Sequence, residues 1–387
     1  MQAKLWSLTL GNFAIGTGMM IVPGILNELS TDLAASPAAI GMLISAFAMT
    51  VCIGGPLLAA WTSAIERRRL LTAALALYAV MHLAAALAPD YSSLLLIRMA
   101  TAIGAAIFTA QAAATAGLMV PPEKRGKAIG LVFLGWSIAA VVGTPLGAYF
   151  GAHIGWRPTL GLVGLLSAVF AMWVWLQIPG KLFIAPIDRA AWRALFANTP
   201  LLLTVSVTAI QATGVFMIFS YMAPVLKDFI GATPTVISMV FLCFGITGVV
   251  GNVIAARVMD RIGTVWVGLV AMGCMLTAIV LWPLTRGSSA ITAVLILVWG
   301  LGGFSVYSAQ QARLVELAPR LASASIALNS SATYFGQAVG AFVGGIIIAS
   351  QGTANLSLYS AVPMILAMAV SLFAATMANR RMLVEGP

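Results

Sequence analysis

Residues 135–151 read GWSIAAVVGTPLGAYFG. On a helix, Gly135, Gly143, Gly147 and Gly151 fall on one face, with Pro145 among them, and no charge interrupts the run. Small residues four apart let two helices approach closely inside a bilayer. The spacing returns at Gly336, Gly340 and Gly344, within NSSATYFGQAVGAFVGG at 329–345. A glycine stripe inside an apolar run long enough to cross hydrocarbon, present twice, points to an all-α integral membrane protein built from a repeat.

The rest of the chain agrees. Its 387 residues are 61% hydrophobic and 8% charged, with a mean hydropathy of +1.04. Soluble domain cores stop growing near roughly 250–300 residues, so a bilayer is the solvent for this much apolar surface. Apolar runs near 5–27, 38–62, 70–88, 93–118, 127–151, 158–180, 200–225, 235–258, 265–284, 289–312, 323–350 and 357–379 predict twelve transmembrane helices. The first run is long enough to span, and no small-residue cleavage pattern follows it. Ser36-Pro37 and Thr233-Pro234 each read as an N-cap followed by proline at the first helical position. Cys52, Cys243 and Cys274 lie in apolar runs and read as small core residues.

The net charge of +10 is not a nucleic-acid signature, because the basic residues sit in short gaps between apolar runs. With the N-terminus inside, only Arg98, Arg157, Lys227 and Arg286 of the 20 Lys and Arg fall outside cytoplasmic segments. Such asymmetry places both termini in the cytoplasm.

The chain divides into a six-helix bundle at 1–180, a linker at 181–199 and a second six-helix bundle at 200–387. The linker holds IDRAAWRALF, where Asp188 can cap a short amphipathic helix that offers Trp192, Leu195 and Phe196 to the cytoplasmic membrane face. A single offset of 197 residues superimposes Ser36-Pro37 on Thr233-Pro234, Gly143 on Gly340 and Gly147 on Gly344. Six spans per copy make the repeat parallel, with an axis along the membrane normal. Between spans eight and nine, ARVMDRIGTV at 256–265 places Asp260, Arg261 and Gly263 in a turn. The acid and the arginine can pair with each other or with a neighbouring helix end, and the glycine permits the tight turn.

With these residues in hand, nearly the whole chain resembles the major facilitator superfamily, in its drug:proton antiporter-like branch. D-R-x-G at 260–263 is similar to the superfamily's loop motif. Gly135, Gly143 and Pro145 resemble its antiporter motif, although Gly147 stands two residues after the proline rather than three. LLLIRMATAIGAA at 94–106 resembles its fourth-span motif, with Arg98 and Gly104 in place. PPEKRGKAIGLVFLG, IGWRP and ALNSSATYFGQAVGAFVGG look most like bacterial arabinose-type sugar efflux permeases. The first-half loop departs: Ala59, Ser63, Ala64 and Glu66 replace the pattern's first glycine, aspartate, arginine and second glycine. Many relatives carry an acid in span one near Gly18, where this chain reads GTGMM.

The resemblance implies the major facilitator fold, with spans 1, 4, 7 and 10 lining a cavity and 2, 5, 8 and 11 at the half interface. The candidate substrate-binding residues are then Asn12, Arg98, Gln111, Gln211, Tyr221, Tyr307, Gln310, Asn329, Tyr334 and Gln337, with Trp136 and Phe216 as apolar walls. Asp260, Arg261 and Gly263 are candidate gating residues; Gly135, Gly143, Pro145, Gly147, Gly340 and Gly344 are close-packing ones. His82, in span three, reads as part of a supporting helix.

No phosphate-binding G-x-x-x-x-G-K-[ST] occurs, so ATP is not the expected energy source. No metal-ligand or nucleophile cluster is legible, so no cofactor, metal site or enzyme activity is expected. All 10 acids fall at span ends or in loops. The leading expectation is a monomeric, proton-coupled efflux antiporter for a small organic solute, sugar or drug, in a bacterial inner membrane. Facilitated uptake or uniport is the alternative. A non-transporting sensor would need an output domain that the sequence does not show.

Overall fold

The computed structural model describes residues 2–62, 64–121, 124–183 and 189–385. Among them, 12 helices are long and apolar enough to cross a membrane, as the hydropathy pattern predicts. The chain forms two compact units: Met1–Pro186 with Ala232–Leu242, and Ile187–Gly231 with Cys243–Pro387.

The first unit contains α1 (Gln2–Gly24), α2 (Leu26–Asp32), α3 (Pro37–Trp61), α4 (Arg67–Ala86), α5 (Tyr91–Leu118), α6 (Arg125–Ile154) and α7 (Trp156–Gln177). Span one is shorter than its apolar run, because the helix stops at Gly24 and restarts as α2. Ser36 caps α3 as predicted, its hydroxyl accepting from the Ala39 amide at 3.1 Å. The second unit contains α8 (Arg189–Phe196), α9 (Thr199–Phe219), α10 (Met222–Ile230), most of α11 (Pro234–Ile262), α12 (Thr264–Leu281), α13 (Ser289–Gly303), α14 (Ser305–Leu317), α15 (Ala322–Gln351) and α16 (Leu356–Glu385). Span ten is broken between α13 and α14.

The glycine stripes are contact faces within each unit. A Cβ on Gly135 would lie 1.9 Å from the Thr9 carbonyl oxygen of α1, and one on Gly147 would lie 2.9 Å from that of Ile21. On α15, Gly340 and Gly344 would each place a Cβ 2.4 Å from a carbonyl oxygen of α9, those of Thr213 and Met217. Only a residue without Cβ permits these approaches. Polar side chains stitch the same seams. Thr144 donates to the Met20 carbonyl at 2.7 Å, and Tyr221 to that of Ala341 at 2.6 Å.

These contacts locate the repeat. Gly143 meets Thr17 and Gly340 meets Thr213; Gly147 meets Ile21 and Gly344 meets Met217. The offset is 197 between α6 and α15, as the sequence indicates, but 196 between α1 and α9. One extra residue between Asp228 and Pro234, compared with Asp32 and Pro37, accounts for the slip, at the left-handed Gly231 (φ 61°). Asp32 bonds Arg157, and Asp228 bonds Thr353, 125 residues on in both cases.

Helix α8 corrects the linker reading in part. Leu195 is fully buried against Leu201, Val205, Leu314 and Ala324 rather than offered to the interface. Phe196 remains exposed, stacked on Trp192 at 6.1 Å. Asp188, its expected cap, lies outside the described residues. Cys243 is exposed, not a core residue.

At the end of α2, Asp32 accepts from the Trp156 indole at 2.9 Å and pairs with Arg157. The hydrogen bond from Arg157, then that from Trp156, hold the Asp32 carboxyl below its ordinary value. A depressed carboxylate stabilises the fold above its unfolded value, near about 3.9, and that stability is lost as pH falls through the lower folded value. Asp32→Asn is expected to flatten the acid limb of thermal stability between about pH 5 and pH 3. An unchanged acid limb in thermal-shift measurements would show that the pair contributes nothing.

Candidate functional site

Three helices of the second unit, α9, α14 and α15, pack together and carry most of the predicted polar residues. Gln211 is fully buried, and neither end of its amide has a hydrogen-bond partner. It faces the phenol of Tyr307 on α14 without reaching hydrogen-bond geometry. Gln310 Nε2 on α14, and Asn329 Oδ1 and Gln337 Oε1 on α15, are also buried without partners. Tyr334 lies half-buried on α15. Buried polar atoms are nearly always hydrogen-bonded, so five unspent amide atoms on three adjoining helices stand out. Elsewhere in the same unit, Phe216 of α9 packs edge-on against Phe219 at 5.6 Å, Phe219 meets Phe244 at 5.2 Å, and Phe244 meets Trp299 at 5.8 Å. The sequence singled out Phe216 but not Phe244 or Trp299, which reach this wall only through the fold.

The first unit uses its nominated residues differently. Asn12 donates to the Val132 carbonyl at 3.2 Å, tying α1 to α6, while its Oδ1 stays unpartnered. Trp136 is half-buried on α6, beside Gly16. Gln111 accepts from Arg67 Nη1 at 2.9 Å, so its carbonyl is spent on holding a buried cation. Tyr221, in the second unit, is likewise a helix-to-helix tie. Arg98 is buried at 2% exposure; it does not snorkel outward. Its Nη1 donates to the Gly18 carbonyl at 3.1 Å, and its guanidinium lies 4.6 Å from the Phe47 ring centroid.

Two of the charges counted as topology signals are packing elements. Arg67 and Arg313 are buried, and Arg313 donates to the Ser371 hydroxyl at 2.9 Å and carbonyl at 3.1 Å. Glu66, which breaks the loop motif, pairs with Arg69 at 3.0 Å and accepts from the Lys181 amide at 2.8 Å. It ties the start of α4 to the chain beyond α7.

The second-half loop turns where expected. Gly263 has φ 82°, a value side chains rarely adopt. Asp260 and Arg261 are exposed, and among the described residues Asp260 makes no ion pair. The tie at this corner is instead Thr264 donating to Glu316 at 2.7 Å. The described residues therefore hold no latch through Asp260. Asp260→Asn is expected to reduce transport several-fold with expression unchanged, and Ser63→Ala, outside the described residues, to leave it near wild type. Equal effects in a vesicle flux assay would reduce the loop to a topology signal.

Comparison with known proteins places the chain. The model of the Major Facilitator Superfamily matches residues 8–341 and, in a second match, 205–383. The inner membrane transport protein YdhP of Escherichia coli (strain K12) is 28% identical over 89% of both chains. A protein of Helicobacter pylori named "Probable sugar efflux transporter" is 27% identical over 90% of this chain and 89% of its own. The crystal structure of a bacterial homologue of the human lysosomal transporter Spinster superimposes with a TM-score of 0.77 over 97% of each chain, at 18% identity. Twelve spans, a glycine-seamed repeat and these matches together make this a membrane transporter rather than an enzyme, and the chain belongs to the Major Facilitator Superfamily.

Proposed function

We propose that the protein is a proton-coupled efflux carrier for a small polar solute, with sugars the leading class, working as a monomer by alternating access. In this reading it lies in a bacterial inner membrane with both termini in the cytoplasm. The observation that carries it is the unspent amide set of Gln211, Gln310, Asn329 and Gln337. An unpaired buried amide costs roughly 1–3 kcal/mol by mutational measures, so a site lined with several is poised for a ligand that satisfies them. Sugar hydroxyls donate and accept, and an aromatic wall such as Phe216, Phe244 and Trp299 suits the apolar face of a pyranose. The Helicobacter pylori relative named for sugar efflux supports the same class. Drug-like solutes would use the wall more than the amides.

Arabinose efflux from proteoliposomes tests this reading. Gln211→Ala is expected to weaken apparent arabinose affinity about ten-fold, the equivalent of one lost hydrogen bond worth about 1.4 kcal/mol. If arabinose is not carried by the wild type, and no other sugar is, the sugar reading falls. Uniport is the second reading, favoured because the hydropathy pattern of the sequence puts all 10 acids at span ends or in loops. Solute flux without accompanying proton flux would establish it.

A further inference from the structure

The chain has two histidines, and only His82 is buried; His153 is exposed near the end of α6. The His82 ring on α4 packs against Tyr78 at 4.3 Å between centroids. Its Nδ1 lies 3.0 Å from the Tyr78 carbonyl oxygen. A carbonyl only accepts, so Nδ1 carries the hydrogen of the neutral ring and Nε2 has none. Nε2 is buried, makes no hydrogen bond, and faces the Gly18 carbonyl of α1. Two acceptors thus confront one another. A Cβ on Gly18 would lie 2.4 Å from both His82 Nε2 and the Tyr78 hydroxyl, so glycine is what lets this contact form.

The surroundings carry one opposing charge. Arg98 on α5 holds the same Gly18 carbonyl and acts electrostatically on His82. Tyr78, on α4 itself, spends its hydroxyl on the Ile15 carbonyl at 2.8 Å. The only charged residue of α1 is Lys4, near its start, and that of α7 is Arg157, which pairs with Asp32; α3 has none. No carboxylate among the described residues pairs with Arg98 or His82.

We propose that His82 is a proton-binding site of the transport cycle, and that its protonation competes with Arg98 for the Gly18 carbonyl. A proton taken from water adds to the Nε2 lone pair, and no other bond is made or broken covalently. The new N–H donates to the Gly18 oxygen, while Nδ1 keeps its bond to Tyr78. The ring now carries a charge beside the guanidinium, which is permanently charged, so Arg98 gives up α1. Proton binding then exchanges a tie between α1 and α5 for one between α1 and α4. Because His82 is fully buried, proton entry requires the unit to open, which links occupancy to conformation. This inference rests on the proton-coupled reading above.

The test uses the full-length protein. His153→Gln leaves one imidazole, whose nitrogen resonances in isotope-labelled protein are followed from about pH 5 to pH 9, the range where imidazoles titrate. The His82 signal is expected to respond to pH, and to respond differently when Arg98→Gln removes the neighbouring charge. A signal insensitive to pH in both proteins overturns the proposal. In proteoliposomes with arabinose as probe, the ratio of pH-driven flux to counterflow is expected to collapse in His82→Gln and in His82→Asn. A wild-type ratio in a folded variant of either kind also overturns it. A wild type with no pH-driven arabinose flux, but with a His82 signal that titrates, would sink the proton-coupled sugar reading and still support the proton site.

Discussion

Arg98→Ala is expected to abolish transport, and Arg98→Lys to retain part of it. The guanidinium is one of the largest fully buried side chains, and it bridges helices that the sequence separates by 80 residues: α5, which carries it, and the Gly18 carbonyl of α1. It also lies over the Phe47 ring of α3. Alanine removes the charged donor and the tie it makes between α5 and α1, a loss of about 1.5–3 kcal/mol. Three kcal/mol corresponds to about a hundred-fold in a rate. Lysine keeps the charge and one donor at reach, but not the planar group that stacks on an aromatic ring. Solute flux in proteoliposomes, normalised to folded protein, is the measurement. Wild-type flux in Arg98→Ala would reduce the residue to a static packing element.

Gly147→Leu and Gly344→Leu are expected to lose transport and to lower the thermal midpoint. Gly147 would drive a Cβ to 2.7 Å from Ile21 Cγ1 and 2.9 Å from the Ile21 carbonyl oxygen; Gly344 would drive one to 2.4 Å from the Met217 carbonyl oxygen. Backbone atoms cannot swing aside as a side chain can, so the helices must separate. Overpacking costs about 1–3 kcal/mol, which for a unit of this size lowers the midpoint by about 2–12 °C. Gly273→Leu is the control, because a Cβ there meets nothing within 4 Å. Wild-type midpoints and flux in both seam variants would mean that α1 and α9 do not rest on these faces.

Much of the fold was legible because hydropathy and end-capping are local. An apolar run declares a span wherever its neighbours lie, and Ser36-Pro37 and Thr233-Pro234 declare helix starts through groups three residues away. The glycine stripes were legible as contact faces, but not their partners. A helix face is written in one segment, whereas the α1 backbone under Gly135 is more than 100 residues distant.

The site divides in the same way. Composition alone marked Gln211, Gln310, Asn329 and Gln337 as amides in apolar runs. Whether each spends its hydrogen bonds depends on which helix stands opposite, so Gln111 proved to be held by Arg67 while Gln211 is unpartnered. His82 shows the limit most clearly. In sequence it is a lone histidine in a supporting span. Only the packing of α1, α4 and α5 sets its Nε2 against the Gly18 carbonyl that Arg98 already holds. The sequence by itself determined twelve spans, the repeat and the absence of an acid in mid-span, because these follow from residue type and short-range order. Tertiary structure decided which polar groups are paired, because a buried hydrogen bond is a property of two segments and of the distance between them.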